Sequence, residues 1–241
     1  MPEPSTPTSV WLRPERSGRG PAPTFDRDRL AAAGITVADA GGLAAVTMRA
    51  VADELGTAPA SLYRYVATRD DLVELMADRV AGEIAYRPTT GRPLDDVLHL
   101  AHESRRAYLR HPWLLDVAAP RTPLGPRAVD YLDRVLAAFA DHPADARTKL
   151  EAVGVMNAVV ASLTRAELDR RQEGRTIPQD QRAQHAYLTH VVAEGRHPHL
   201  AAALTAGKAP DDEAPDSMFT RIVSRVVRGL LDSPTHGTGN A

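Results

Sequence analysis

From Phe25 to Leu231, apolar residues return at three- and four-residue intervals, in stretches of helical length divided by glycine and proline. That spacing puts an apolar stripe along each helix. Strand-like alternation of any length is absent, and β-branched residues do not cluster between turn signals. No internal repeat occurs. The pattern implies an all-α chain. With 241 residues, of which 43% are hydrophobic, there is material for one large domain or two small ones.

Residues 1–24 are rich in Pro, Ser, Thr, Gly and Arg, and are expected to form a disordered arm. Its Arg13, Arg16 and Arg19 leave two readings open: a solvated tail, or an arm that touches DNA phosphate or minor groove. Asp26 suits the cap of a first helix running to about Ala40, which Gly41-Gly42 ends. Gly34 inside it is unfavourable by roughly 1 kcal/mol against alanine, which close helix packing would explain. Thr47 can cap a second helix, Met48–Leu55, stopped by Gly56. Pro59 suits the first turn of a third, to about Val66. Thr68 and Asp71 resemble a capping box, with Ala67 and Leu72 placed as a staple, for a fourth helix to about Tyr86. Residues 87–93 read as a linker. Amphipathic segments follow at Leu94–Arg110, Pro112–Ala119, Pro126–Asp141, Ala144–Gln172, Pro178–Glu194 and Ser217–Leu231. The expected division is an arm (1–24), a small unit (25–86), a larger helical unit (94–232) and a disordered tail (233–241).

Composition narrows the function classes. The net charge of −2 gives no support to a uniformly basic nucleic-acid coat, so any such contact must be local. All but two of the 29 basic residues are arginine, an excess that reads first as codon bias. Cysteine is absent, which removes disulfides, thiol nucleophiles and Cys-based zinc. No secretory signal pattern and no membrane-length apolar run occur, so a cytoplasmic protein is expected. His99 and His102, and Glu194 and His197, have helical ligand spacing, but a di-iron bundle needs two Glu-x-x-His pairs and two further glutamates. Nucleophile-elbow, phosphate-loop and dinucleotide fingerprints are missing. No enzyme activity, metal or cofactor is expected.

Around Gly56 the residue types are those of a helix-turn-helix. Ala52 permits close crossing, Gly56 allows a left-handed turn, and Leu62 anchors the second helix. Leu62 and Val66 form its buried face, opposite Val51 and Leu55. Pro59, Ala60, Ser61, Tyr63, Arg64 and Tyr65 are left outward, a set suited to phosphate and base contacts. A plain helical hairpin in a protein–protein adaptor has the same spacing, and an all-α metal-dependent enzyme is the other alternative. Over residues 43–69, Arg49, Arg64 and Arg69 face Asp53 and Glu54, an excess of one positive charge.

The run Thr47-Met48-Arg49-Ala50-Val51-Ala52-Asp53-Glu54-Leu55-Gly56, followed by Ala60-Ser61-Leu62-Tyr63-Arg64-Tyr65-Val66, resembles the TetR family of bacterial repressors. The likeness extends from Arg27 through Leu72. His111-Pro112-Trp113-Leu114 and Pro123-Leu124-Gly125-Pro126 are similar to the regulatory domain of the branch nearest the tetracycline repressor. The resemblance implies a helix-turn-helix DNA-binding domain joined to a ligand-binding and dimerisation domain. It implies phosphate contact by Thr47, base-edge contact by Arg49, and a recognition helix opened by Pro59, Ala60 and Ser61. It also implies backbone or thymine-methyl contact by Tyr63 and Tyr65, and phosphate contact by Arg69. Thr57 and Ala58 depart from the usual residues, and Thr57 is expected to cap the recognition helix instead.

Phe219, Ile222, Val223, Val226, Val227, Leu230 and Leu231 form a stripe too wide for a lone surface helix. Leu150, Val153, Val160 and Leu163 form another, with Gly154 allowing close approach. Intramolecular core and dimer interface are both open. The resemblance implies the latter, a homodimer reading a near-palindromic double-stranded operator. It also implies release by a small-molecule effector, which the sequence does not name. His102, Arg105, Asn157, Thr164 and Tyr187 are candidate polar pocket groups, with Trp113 and Met156 as wall.

Overall fold

The computed structural model describes residues 9–13, 26–117, 124–172, 177–206 and 215–232. Among these, all regular structure is helical. The first four α-helices are α1 (Arg27–Gly41), α2 (Met48–Glu54), α3 (Pro59–Leu62) and α4 (Arg69–Ala81). They form the small N-terminal unit, called the reader below for the DNA-binding role that the resemblance implies. The larger unit holds α5 (Pro93–Arg110), α6 (Leu114–Val117), α7 (Pro126–Ala138) and α8 (Ala146–Gln172). It continues with α9 (Ile177–Ala193), α10 (Pro198–Ala206) and α11 (Pro215–Leu231). Helix α10 was not expected, because its Leu200 and Leu204 form too short a stripe to stand out beside Gly195 and Pro198.

Local signals set the ends of most reader helices. Asp26 caps α1 through the Arg29 amide, and Gly42, at φ 75°, ends it. Thr47 caps α2 through the Ala50 amide. Thr68 and Asp71 form a reciprocal capping box at α4. Two helices end earlier than their spacing predicts. Helix α3 stops at Leu62, and Tyr63–Tyr65 continue as turns. Leu62 and Val66 nevertheless both reach the core, since the Val66 amide donates to the Leu62 carbonyl at 3.2 Å. Helix α4 stops at Ala81, not near Tyr86. Gly82 is a poor helix residue, and a Cβ there would lie 2.5 Å from Arg127 Cδ. Thr57 does not cap α3; Ala58 takes that position with no side-chain hydrogen bond.

Two cores result. Val10, Leu30, Val51, Leu62, Leu72 and Met76 belong to the first, and Val97, Val135, Met156, Val160, Phe219 and Val223 to the second. Full burial of each such side chain stabilises by about 1.5–3 kcal/mol. Gly34 lies at a close crossing of α1 and α4, where an added Cβ would be 2.6 Å from Met76 Sδ. Gly154 makes no such approach, as nothing lies within 4 Å of its Cβ position.

The expected arm is ordered in part. Val10–Leu12 form a single 3₁₀ turn, with Val10 fully buried in the reader core and Trp11 packed against it. The apolar pair Val10-Trp11 overrides the disorder-like composition around it. Residues 1–8 and 14–24 of that arm, and the tail 233–241, lie outside the described residues.

Candidate DNA interface and internal cavity

Helices α2 and α3 pack around Gly56, whose φ of 66° is left-handed. Nothing crowds a Cβ there, so the glycine answers to backbone conformation and not to space. Ala52 and Leu62 are fully buried at the crossing. This arrangement leaves Thr47, Arg49, Pro59, Ala60, Tyr63 and Arg64 exposed. Thr47 spends its hydroxyl lone pair on the Ala50 amide and keeps its own hydrogen to donate. Arg49 extends into solvent, with only a 3.9 Å approach to Asp53.

Three of the eight residues assigned to this surface are less open than the spacing predicts. Ser61 is half-buried. Tyr65 is half-buried and packs on the reader core, because the turn after Leu62 rotates it inward. Arg69 donates from Nε to the Val46 carbonyl at 2.7 Å and from an Nη to the Leu43 carbonyl at 2.6 Å. Its guanidinium thus fixes the loop that enters α2.

A cavity of about 330 Å³ lies between α4 and the helices of the larger unit. Its walls come from α4 (Ala77, Val80, Ala81), α5 (Ser104, Tyr108), α7 (Tyr131, Leu132) and α8 (Val153, Asn157). Ser104 Oγ donates to Tyr131 Oη at 3.2 Å, and Tyr131 Oη donates to Asn157 Oδ1 at 2.8 Å. Burial pushes both Tyr131 and Tyr108 above the ordinary tyrosine value, so both phenols stay neutral. Among the described residues, no charged side chain lines the cavity. Its volume falls at the lower end of the range for small-molecule sites.

Of the pocket candidates, only Asn157 lines this space. Arg105 is buried between Glu167 (2.9 Å) and Asp216 (2.6 Å), and stands over the Phe219 ring at 5.1 Å. His102 Nε2 meets Thr220 Oγ1 at 2.9 Å. Thr164 donates to the Val160 carbonyl. Trp113 is buried in the reader core and donates to Asp39 at 2.8 Å. Met156 is fully buried in the second core, and Tyr187 is exposed. Ser104, Tyr108 and Tyr131 were missed. Their signal is available in hindsight: Ser104 and Tyr108 lie four apart on α5, so two polar groups share a half-apolar face. Among the described residues, no group of three or more His, Cys, Asp or Glu is placed to hold a metal. No described helix is long and apolar enough to cross a membrane.

Residues 30–76 match the family profile described as "Bacterial regulatory proteins, tetR family". Residues 87–233 match "Tetracyclin repressor-like, C-terminal domain". The chain belongs to the TetR family. It is a DNA-binding transcriptional regulator and not an enzyme. A relative, the HTH-type transcriptional repressor DrrR1 of Streptomyces coeruleorubidus, is 36% identical over 80% of this chain and 73% of its own. An HTH-type transcriptional regulator of Saccharopolyspora erythraea is 34% identical over 69% of this chain and 71% of its own. Among solved structures, ActR of Streptomyces coelicolor in complex with actinorhodin superposes with a TM-score of 0.72 at 26% identity. That match covers 88% of this chain and 98% of ActR.

Proposed function

We propose that this TetR-family chain is a homodimeric repressor, released from a near-palindromic operator when a small molecule fills the cavity described above. The observation that carries this reading is the double use of α4. Its first turn is capped at the end of the reader, and its last turns supply Ala77, Val80 and Ala81 to the cavity wall. A ligand that pushes this wall moves the helix on which the reader is mounted. Full switching from 99:1 to 1:99 needs a preference of about 5.5 kcal/mol for the released state.

The proposed DNA contacts are Thr47, Arg49, Pro59, Ala60, Ser61 and Tyr63, with Arg64 beside them. Tyr65 and Arg69 act mainly by holding the reader's shape. One short recognition helix reads few base pairs, so two copies must act together. Two features support a dimer. On α11, Phe219, Val223, Val227 and Leu231 are buried within the chain, while Ile222 and Val226 are half-exposed on a second row. On α8, Val155 is exposed. The α9–α10 hairpin packs chiefly on itself, and no described side chain in it is buried. Helix α10, nine residues long, is marginal alone, and a hairpin with so little burial needs a further surface. Acting on the bacterial chromosome, the protein works in the cytoplasm.

The cavity fits an uncharged, largely apolar effector with hydroxyl or carbonyl groups that meet Ser104, Tyr131 and Asn157. The similar ActR is solved in complex with actinorhodin, which supports a small-molecule effector here. The test is selection of bound DNA from a random pool, then displacement by a panel of aromatic hydroxyl- and carbonyl-bearing compounds beginning with actinorhodin. An enriched palindrome released by such a compound is expected. Recovery of no enriched palindrome would overturn the reading.

A further inference from the structure

The N-terminal family profile begins at residue 30, yet the 3₁₀ turn twenty residues earlier, at Val10–Leu12, belongs to a segment that touches both halves of the molecule. Val10 is fully buried in the reader core. Arg13 forms a two-pronged ion pair with Asp71, at 2.8 and 2.9 Å. Asp71 also accepts the Ala67 and Thr68 amides at the start of α4. One carboxylate therefore serves both the cap of the connecting helix and the segment laid across it. Arg27 of α1 donates to the Arg13 carbonyl at 3.1 Å.

Trp11 reaches the other half. A Cβ at Gly125, just before α7, would lie 2.6 Å from Trp11 Cζ2 and 2.3 Å from Asp78 Oδ1. Only glycine lets the indole, the Asp78 carboxylate and this loop meet. Asp78 in turn accepts the Arg127 and Ala128 amides in the first turn of α7. Among the described residues, the buried indole N–H has no hydrogen-bond partner. That orphan donor opposes docking, so the segment is held by Val10, the Arg13 fork and ring packing against a standing penalty.

We propose that residues 9–13 are a strap that fixes α4 against α1 and α7 and so pre-organises the reader for DNA. This rests on the repressor reading, in which α4 carries motion from cavity to reader. Releasing the strap frees α4 to sample more orientations, and the cost of ordering it then falls on DNA binding.

The chain has two tryptophans, Trp11 and Trp113, so Trp11→Phe identifies the emission due to Trp11. The test compares the full-length chain with Arg13→Gln and Arg13→Lys. It reads Trp11 quenching by acrylamide and affinity for the selected operator DNA. Arg13→Gln is expected to raise quenching of Trp11 and weaken operator binding by about tenfold, the scale expected when one pre-organising interaction is removed. Arg13→Lys keeps the charge without the fork and is expected to fall between. A cooperative thermal transition near that of the parent shows that the variant folds. If Arg13→Gln does not fold, deletion of residues 1–8 with Trp11→Ala in the otherwise full chain gives the same affinity readout. Unchanged operator affinity with an exposed Trp11 would overturn the strap, as would a Trp11 that stays protected without the fork. Absence of operator binding by the parent chain would instead defeat the repressor reading, so the two failures are distinct.

Discussion

The carboxylate of Asp78 accepts the backbone amide of Arg127 at 2.9 Å, across the boundary between reader and receptor. It also accepts the Ala128 amide at 3.0 Å, so a side chain of α4 caps the N-terminus of α7. Burial raises the Asp78 pKa above the ordinary aspartate value, and these amides only partly offset it. Asp78→Ala leaves two buried donors unpaired and should destabilise by about 1–3 kcal/mol. Asp78→Asn keeps an acceptor oxygen and removes the buried charge, so its loss should be under half of that. Urea unfolding followed by circular dichroism separates the two variants.

Inside the cavity, Tyr131 joins Ser104 to Asn157. Tyr131→Phe removes both bonds without changing the shape of the wall. Stability should fall by about 1 kcal/mol. Operator affinity should stay within twofold, while the concentration of the releasing compound needed for half release rises by about tenfold. Equal loss of operator affinity would place Tyr131 in the scaffold instead.

Arg105 joins α5, α8 and α11 through Glu167 and Asp216, with Arg105 and Glu167 side chains each 10% exposed. Arg171 pairs with Glu167 from outside. Arg105→Ala leaves a buried carboxylate short of its partner and should destabilise by about 3 kcal/mol. The double change Arg105→Met with Glu167→Met removes both charges and should recover most of that loss. Calorimetric unfolding tests the recovery, which a simple packing role for Arg105 does not predict.

The reader was legible because its signals are local. Thr47, Gly56 and the Thr68–Asp71 capping box each act within a few residues, and each is where its spacing places it. The cavity was not legible, because Ser104, Tyr131 and Asn157 come from three helices whose facing depends on packing. Arg105 and His102 share a face, as their spacing implies, but that face meets α11 and not the cavity. Val10 shows the reverse limit. The three apolar residues Val10-Trp11-Leu12, in a Pro-, Ser- and Arg-rich stretch, carry no periodic signal, yet Val10 is fully buried in the reader core.

Burial and the neighbouring Arg105 guanidinium push His102 below the ordinary histidine value, while Asp216 pulls it back. The folded chain therefore binds the His102 proton less readily than the unfolded one. Stability from this group is present above about pH 6.5 and is lost as pH falls through the folded value. His102→Gln keeps a partner for Thr220 and does not titrate. The difference in unfolding free energy between parent and variant should shift against the parent on acidification below that pH. A difference independent of pH from 7.5 down to about 5 would show that the protonated ring is tolerated at this position.

Arg49, Arg64 and Arg69 should separate by base preference, salt dependence and thermal midpoint. The Arg49 side chain is 86% exposed, with only a weak approach to Asp53. Arg69 gives two nitrogens to the Leu43 and Val46 carbonyls. If Arg49 reaches a base edge, Arg49→Gln costs about 1–3 kcal/mol of operator affinity and relaxes sequence preference at one position per half-site. Each phosphate that the protein no longer neutralises lowers the slope of log K against log salt by about 0.9. Arg64→Gln, an exposed change on the same surface, should lower the slope by that amount. Arg69→Gln should loosen the loop before α2 and lower the thermal midpoint, because two carbonyls lose their donors, while the slope stays at the parent value. A slope reduced by about 0.9 in Arg69→Gln with the thermal midpoint intact would return Arg69 to the phosphate contacts.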